Sequence, residues 1–277
     1  MELAKGSLTN KFSIDDVKEM SLANRSITAT LVTDELVKRC KKTSVVTVDL
    51  KKINLKHACK VLANWDQKFD LDSKGAVLFR EFLGFVSRLR HGHALFTGEG
   101  TLFAKPFDRK KPISTPNGLA QEETILVALG QAVKELTEAN ISLDAPLRDL
   151  QFTLKNGKKI PIHGGNSREG ILSIAAYGAN ATMLASIQKG EEINSVTGLT
   201  KEGYVVNYGT SFLMAVELTP KGPECQAIMS FSQSIDPESP YFSDQTKLYS
   251  NKEWRACHYS QEAILADPAL RTYSVGK

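Results

Sequence analysis

The residues best able to do chemistry fall in a few short segments. His91-Gly-His93 has a spacing that suits a metal ion, but no third ligand and no carboxylate cluster accompanies it, so it is read as no metal site. His163-Gly164-Gly165 has the form of a loop whose consecutive backbone N–H groups can face a developing oxyanion. Hydrolases built that way also need a GxSxG elbow, and Gly165-Asn-Ser167-Arg-Glu-Gly170 has one residue too many, so a glycine turn between strands is expected. Asp66, Asp70 and Asp72 are spaced like calcium-loop ligands, yet Lys74 and Gly75 interrupt the series and no Glu closes it. Neither GxxxxGK[ST] nor GxGxxG occurs, so no phosphate-cradling loop and no cofactor are expected. Cys40, Cys59, Cys225 and Cys257 form no CxxC pair and are too few for a disulfide scaffold; they are read as free thiols, with Cys40 and Cys59 the pair to test.

The elements that must carry these residues are helical first. Ser13 and Asp16 offer an N-cap ahead of Val17 and Met20, and Leu31, Leu36 and Val37 repeat at helical spacing up to Cys40, so Ser13 to Cys40 reads as a helix pair. After a Thr/Ser/Val linker, Leu55, Ala58, Cys59 and Leu62 form another apolar stripe. A polar loop from Trp65 to Gly75 leads into Ala76 to Leu89, where Phe79, Phe82 and Val86 should face inward. His91 to Leu119 reads as a long excursion packed by Phe96, Phe103 and Phe107, and Gln121 to Ala139 as an amphipathic helix ended by Asn140.

From Leu150 the period changes. Asn156-Gly157 marks a hairpin between Leu154 and Ile160. Gly203 to Leu218 and Cys225 to Ser232 read as an antiparallel strand pair joined by Thr-Pro-Lys-Gly-Pro, with Val205, Phe212, Met214 and Val216 alternating against their neighbours. Helices followed by strands give an α+β fold, divided into a mostly helical part, 1–150, and a β-rich part, 151–277.

With 277 residues and 42% hydrophobic content the chain can bury a sizeable core, and disordered and fibrous classes are excluded. No stretch reaches the roughly 18 to 20 uninterrupted apolar residues of a membrane span, and Met1 to Phe12 shows no export signal, so no membrane partner is expected. Residues 1–111 carry 21 Lys and Arg against 13 Asp and Glu, while residues 112–277 carry 14 against 18. Without aromatic interleaving the basic half reads as solvated surface, with no nucleic-acid partner.

A series of blocks along the chain resembles the C-terminal part of the β-chain of the penicillin acylase family, in the branch of acyl-homoserine lactone acylases and aculeacin acylase. The blocks are Trp65-Asp66 with Gly75 to Phe82, Pro106-Phe-Asp108 with Pro112 to Leu119, Leu143 to Leu147 with Gln151, and Ile160 to Gly165. Tyr208-Gly-Thr-Ser211 follows, then Ser232 to Pro240 with Asp244-Gln-Thr246 and Tyr249-Ser250. Tyr241 departs from the pattern, where this branch would carry His.

The resemblance implies a portion of an αββα N-terminal-nucleophile hydrolase sandwich. It also implies hydrolysis of amides of acyl side chains by a Ser whose own α-amine takes the hydroxyl proton. The family's Ser, its neighbouring His and its oxyanion residues lie upstream of the region matched, so no catalytic residue is carried over. Gly6-Ser7 mimics a family cleavage bond, but Ser7 precedes a capped helix and not a core strand, so it is not expected to act. Tyr208, Thr210 and Ser211 are the expected positioning residues. Two functions follow: an acylase portion inactive alone, partnered by the α-chain and the N-terminal part of the β-chain, or a free-standing non-catalytic binding or assembly domain. An exposed apolar patch would favour the first and a closed polar surface the second. As part of a bacterial family member, the chain would be periplasmic or secreted.

Overall fold

The computed structural model describes residues 11–89, 102–178 and 190–276. The expectations placed on Ser7, His91, His93 and Phe96 lie outside these residues. The described chain is α+β and falls into two compact units, one spanning Ser21–Gly209 and one that joins residues 11–20 to residues 210–276.

Helix α1 (Ile14–Ser21) opens on a capping box: Ser13 N donates to Asp16 Oδ2 at 2.8 Å, and Asp16 N donates to Ser13 Oγ at 3.2 Å. Helix α2 (Ile27–Lys42) begins at Ser26, whose Oγ accepts from Ala29 N, and ends in Arg39, Lys41 and Lys42, where cations suit the helix dipole. The segment read as a linker is a hairpin, β1 (Val45–Val48) and β2 (Lys51–Asn54), turning on Asp49 and Leu50 with positive φ at both. The four residues Val-Val-Thr-Val are too short a run to separate strand from linker.

Helix α3 (Lys56–Asn64) follows, and Cys40 of α2 and Cys59 of α3 form a disulfide between buried positions. The expectation of free thiols is therefore corrected for this pair. The helix–hairpin–helix turn brings the two Cα atoms to 5.7 Å, a span that a disulfide bridges.

Helix α4 (Ala76–Leu89) is the axis of the larger unit. It is covered on every side from Ala76 to Ser87, with Phe79 and Phe82 fully buried and Val86 nearly so. Trp65 seals its start, packing its ring 5.0 Å from Phe79 and 5.8 Å from Phe69. Gly75 is held at φ +120°, where a Cβ would lie 2.8 Å from the Trp65 side chain.

In the excursion after α4, β3 (Phe103–Lys105) pairs antiparallel with β4 (Asn117–Leu119). Phe103 is buried there, and Phe107 is covered less completely, at 39% exposure. Helix α5 (Thr124–Glu138) lays Ile125, Leu129, Ala132 and Leu136 into the same core as α4.

Strands β5 (Gln151–Lys155) and β6 (Lys158–Pro161) form the hairpin expected at Asn156-Gly157. Strand β7 (Ala175–Ala176) stands apart from their sheet. With β8 (Glu192–Asn194), β9 (Leu199–Thr200) and β10 (Gly203–Val205), the hairpin makes a five-stranded sheet in the order β6-β5-β10-β9-β8. Strand β10 runs parallel to β5. Strand β11 (Tyr208–Gly209) pairs with β7.

The run from Gly203 to Leu218 is thus three strands, a correction to the single strand read from sequence. Strand β10 belongs to the five-stranded sheet, so Val205 is buried there and does not share a face with Phe212. The remaining run, β12 (Phe212–Thr219), pairs antiparallel with β13 (Gly222–Met229), as expected, and β14 (Arg255–Cys257) completes a three-stranded sheet in the order β12-β13-β14. Helix α6 (Asp244–Ser250) packs against β13, with Gln245 Oε1 accepting from Met229 N, and α7 (Gln261–Leu265) is capped by Ser260. Ala215 and Ile228 are buried on one face of this sheet, while Phe212, Met214, Val216 and Leu218 stand exposed on the other.

Candidate functional site

Arg80 and Glu81 are consecutive charges inside an otherwise apolar stretch of α4, and both are buried. Such a pair is stable only if each charge is partnered or neutralised. Arg80 Nε and Nη2 donate to the two Glu169 carboxylate oxygens at 2.5 and 3.3 Å, and Nη1 donates to Gln151 Oε1 at 2.7 Å. The guanidinium also lies 4.5 Å from the ring centre of Tyr204 and 5.1 Å from that of Phe69, a cation held between aromatic faces.

This cluster fixes the glycine-rich loop. Gln151 Nε2 donates to the carbonyls of Ile162 and Gly164 at 2.6 and 2.9 Å. Glu169 accepts from Asn166 N at 2.6 Å, closing a capping box over the short 3-10 turn Ser167–Glu169. Ser26 Oγ donates to the Glu169 carbonyl at 2.6 Å and Thr28 Oγ1 to that of Arg168 at 2.8 Å, so the start of α2 holds the same turn. The N–H groups of Gly164 and Gly165 donate to the carbonyls of Phe69 and Ser173. They are spent on the fold, which accords with a turn and not with an oxyanion hole. His163 Nδ1 lies 3.0 Å from Asn24 Nδ2.

Glu81 holds its proton more tightly than an ordinary carboxyl. Burial, reinforced by a hydrogen bond to Glu135 and its charge, pushes the Glu81 carboxyl up to about 8, against the opposing hydrogen bonds from Tyr204 and Thr197. Tyr204 donates its hydroxyl to Glu81 Oε1 at 2.5 Å, and Asn194 Nδ2 and Thr197 Oγ1 donate to Oε2 at 2.7 and 3.0 Å. Asn194 also reaches Glu135 Oε1 at 2.6 Å, so one amide bridges acids on α4 and α5. Burial, and after it the charge of Glu81, raises the Tyr204 hydroxyl well above the ordinary tyrosine value.

A cleft of about 280 Å³ opens beside this network, lined among others by Arg80, Asn166, Arg168, Tyr177, Ser195 and Tyr204. Its polar wall can orient a polar chain by hydrogen bonds while the buried charges keep the wall rigid. Arg80, Glu81 and Gln151 all stood within the family blocks quoted from sequence, but no role was assigned to them and their links to Glu169 and Tyr204 were not foreseen. The available signal was Arg80-Glu81 itself, two charges where the helical period demands apolar residues.

The positioning residues expected from sequence lie elsewhere. Tyr208 is 56% exposed on β11, Thr210 opens the second unit, and Ser211 accepts from Ser230 N through its carbonyl. The three aspartates of the Trp65–Gly75 loop point to different partners: Asp66 to Ser73, Asp70 to Asn24 and Asp72 to Arg148.

These features define an α+β chain in which a buried charge cluster anchors a glycine-rich loop beside a polar cleft. The family model for penicillin amidase matches residues 2–266, and the chain belongs to that family. It is 33% identical to aculeacin-A acylase of Actinoplanes utahensis over 94% of this chain and 29% of that protein. It is 30% identical to acyl-homoserine lactone acylase PvdQ of Pseudomonas savastanoi pv. phaseolicola, over 98% of this chain and 32% of that protein. The chain therefore spans about 30% of the length of these relatives.

Proposed function

We propose that this chain is the C-terminal β-chain portion of an amide-hydrolysing acylase, the part of an αββα sandwich that supports the active cavity, and that it is inactive alone. The observation that carries this reading is the face of β12. Phe212, Met214, Val216 and Leu218 are all more than 40% exposed on one side of a strand whose opposite side buries Ala215. An alternating strand normally turns its large apolar side chains to a core, and a row of four left open marks a surface that another layer covers. Among the described residues no strand pairs with the outer edge of β12 either, which leaves eight residues of backbone ready to extend the sheet.

In this reading the α-chain and the N-terminal part of the β-chain supply the missing layer, the nucleophilic Ser and the oxyanion donors. The substrate is a small N-acyl amide such as an acyl-homoserine lactone, and the compartment is periplasmic or extracellular. Tyr208, Thr210 and Ser211 precede the open strand and would position groups brought by the upstream portion. The exposed apolar row favours this function over a free-standing binding or assembly domain, for which a closed polar surface was expected.

The test is association. The α-chain and early β-chain of a family acylase, produced separately, should form a stable complex with this chain in sedimentation velocity runs. Met214→Asp should weaken the complex at least tenfold while leaving the circular dichroism of the chain unchanged. A folded chain that sediments alone at micromolar concentrations of the upstream portion would sink the reading.

A further inference from the structure

We propose that Cys225 and Cys257 form a second disulfide, a staple that ties the C-terminal strand β14 to β13. Both thiols are free in the structure and both are partly accessible. They are direct register partners across the antiparallel β13–β14 pair, with Gln226 opposite Ala256 and Ala227 opposite Arg255 completing the ladder. Opposed residues of antiparallel strands have Cα atoms about 4.5 or 5.5 Å apart, according to whether the pair is hydrogen-bonded. Either distance falls inside the roughly 4.4 to 6.8 Å that a disulfide spans.

Opposed residues of an antiparallel pair project to the same face, so the register sets the two thiols side by side. They also line a shallow pocket with Thr219, Lys221, His258 and Tyr259, through which a small oxidant can reach them. The four cysteines of the chain therefore fall into two spatial pairs, one closed between α2 and α3 and one poised across two strands. A compartment in which the first pair closes exposes the second to the same oxidants.

The oxidant is a small-molecule disulfide such as oxidised glutathione. Burial and the neighbouring Cys225 push the Cys257 thiol up to about 11, which keeps Cys257 protonated until the second step. The Cys225 thiolate attacks one glutathione sulfur, the glutathione S–S bond breaks, and one glutathione thiolate leaves. Cys257 then gives up its proton to solvent and attacks Cys225 Sγ, and the mixed disulfide releases the second glutathione. Two cysteine thiols are oxidised to one disulfide, and one glutathione disulfide is reduced to two thiols.

Its consequence is mechanical. Strand β14 is three residues long and held by one neighbour, and beyond it lies the exposed tail with Tyr259, Leu265 and Val275. A covalent link closes the segment from Cys225 to Cys257 and stops β14 from peeling off β13.

The experiment equilibrates the full 277-residue chain in an oxidised and reduced glutathione buffer at pH 8, quenches with acid, blocks free thiols and maps peptides by mass spectrometry. The expected result is a linked pair of peptides carrying Cys225 and Cys257 within one molecule, with proteolysis of the residues after β14 slowed at least fivefold. The variant Cys225→Ser, checked by circular dichroism for an unchanged fold, should lose both the link and the protection. Recovery of both cysteines as thiols, as two separate glutathione adducts or as links between molecules, while Cys40–Cys59 stays closed, would overturn the proposal.

Discussion

Arg80 and Glu169 are a buried charge pair with two further polar partners, Gln151 and the Asn166 amide, so the cost of breaking it is set by the charge left behind. Arg80→Met leaves the Glu169 carboxylate in the interior without its cation and should destabilise by about 3 to 5 kcal/mol in urea melts. Arg80→Met combined with Glu169→Leu should recover much of that loss, and a double variant as unstable as the sum of both singles would contradict this account. Glu81 gives a pH signature. Its folded value of about 8 exceeds the ordinary 4.5, so between those pH values the unfolded chain releases a proton that the folded chain keeps. Its stabilising contribution is full below about pH 4.5, declines by up to ~1.4 kcal/mol per pH unit toward pH 8, and is level above that. Glu81→Gln should flatten this slope between pH 5 and 8, while an unchanged slope in the variant would show that other groups set it.

At the scale of the elements, α4 is wrapped on all sides, and its central aromatic is the most sensitive position. Phe82→Ala should cost about 3 to 5 kcal/mol, and a loss well below 1 kcal/mol would show that the side chain is not packed. Converting both Cys40 and Cys59 to Ala should lower stability by about 3 kcal/mol, since the link closes a segment of 19 residues in the unfolded chain. The extent of helix α4 and its inward face were legible because Leu78, Phe79, Phe82, Val86 and their neighbours keep a 3.6-residue period, while the burial of its other faces, with Arg80 and Glu81, was not. Helices α2, α3 and α5 and the Asn156-Gly157 hairpin were legible for similarly local reasons. What sequence did not yield is long-range. The Arg80–Glu169 pair joins residues 89 apart, and the parallel placement of β10 beside β5 depends on Gly203, where a Cβ would lie 2.1 Å from the Leu150 carbonyl. The face of β12 was legible as an alternation, but which side met the core depended on strands far away in the chain. Short strands such as β1 and β2 carry too few residues for any period to declare itself.

At the scale of the molecule, the proposed docking of another layer rests on the four exposed apolar residues of β12 and on its edge, unpaired among the described residues, and the relatives are about three times longer than the chain. The proposed function requires that catalysis appear only when that layer is present. The direct measurement is product release from an N-acyl homoserine lactone by the purified chain, by the upstream α-chain and early β-chain portion, and by the two mixed. The account predicts no release above solvent background by the chain alone, steady turnover on mixing, and loss of that turnover with Met214→Asp. Steady turnover by the chain alone, abolished by Ser7→Ala, would contradict it and make Ser7 the nucleophile.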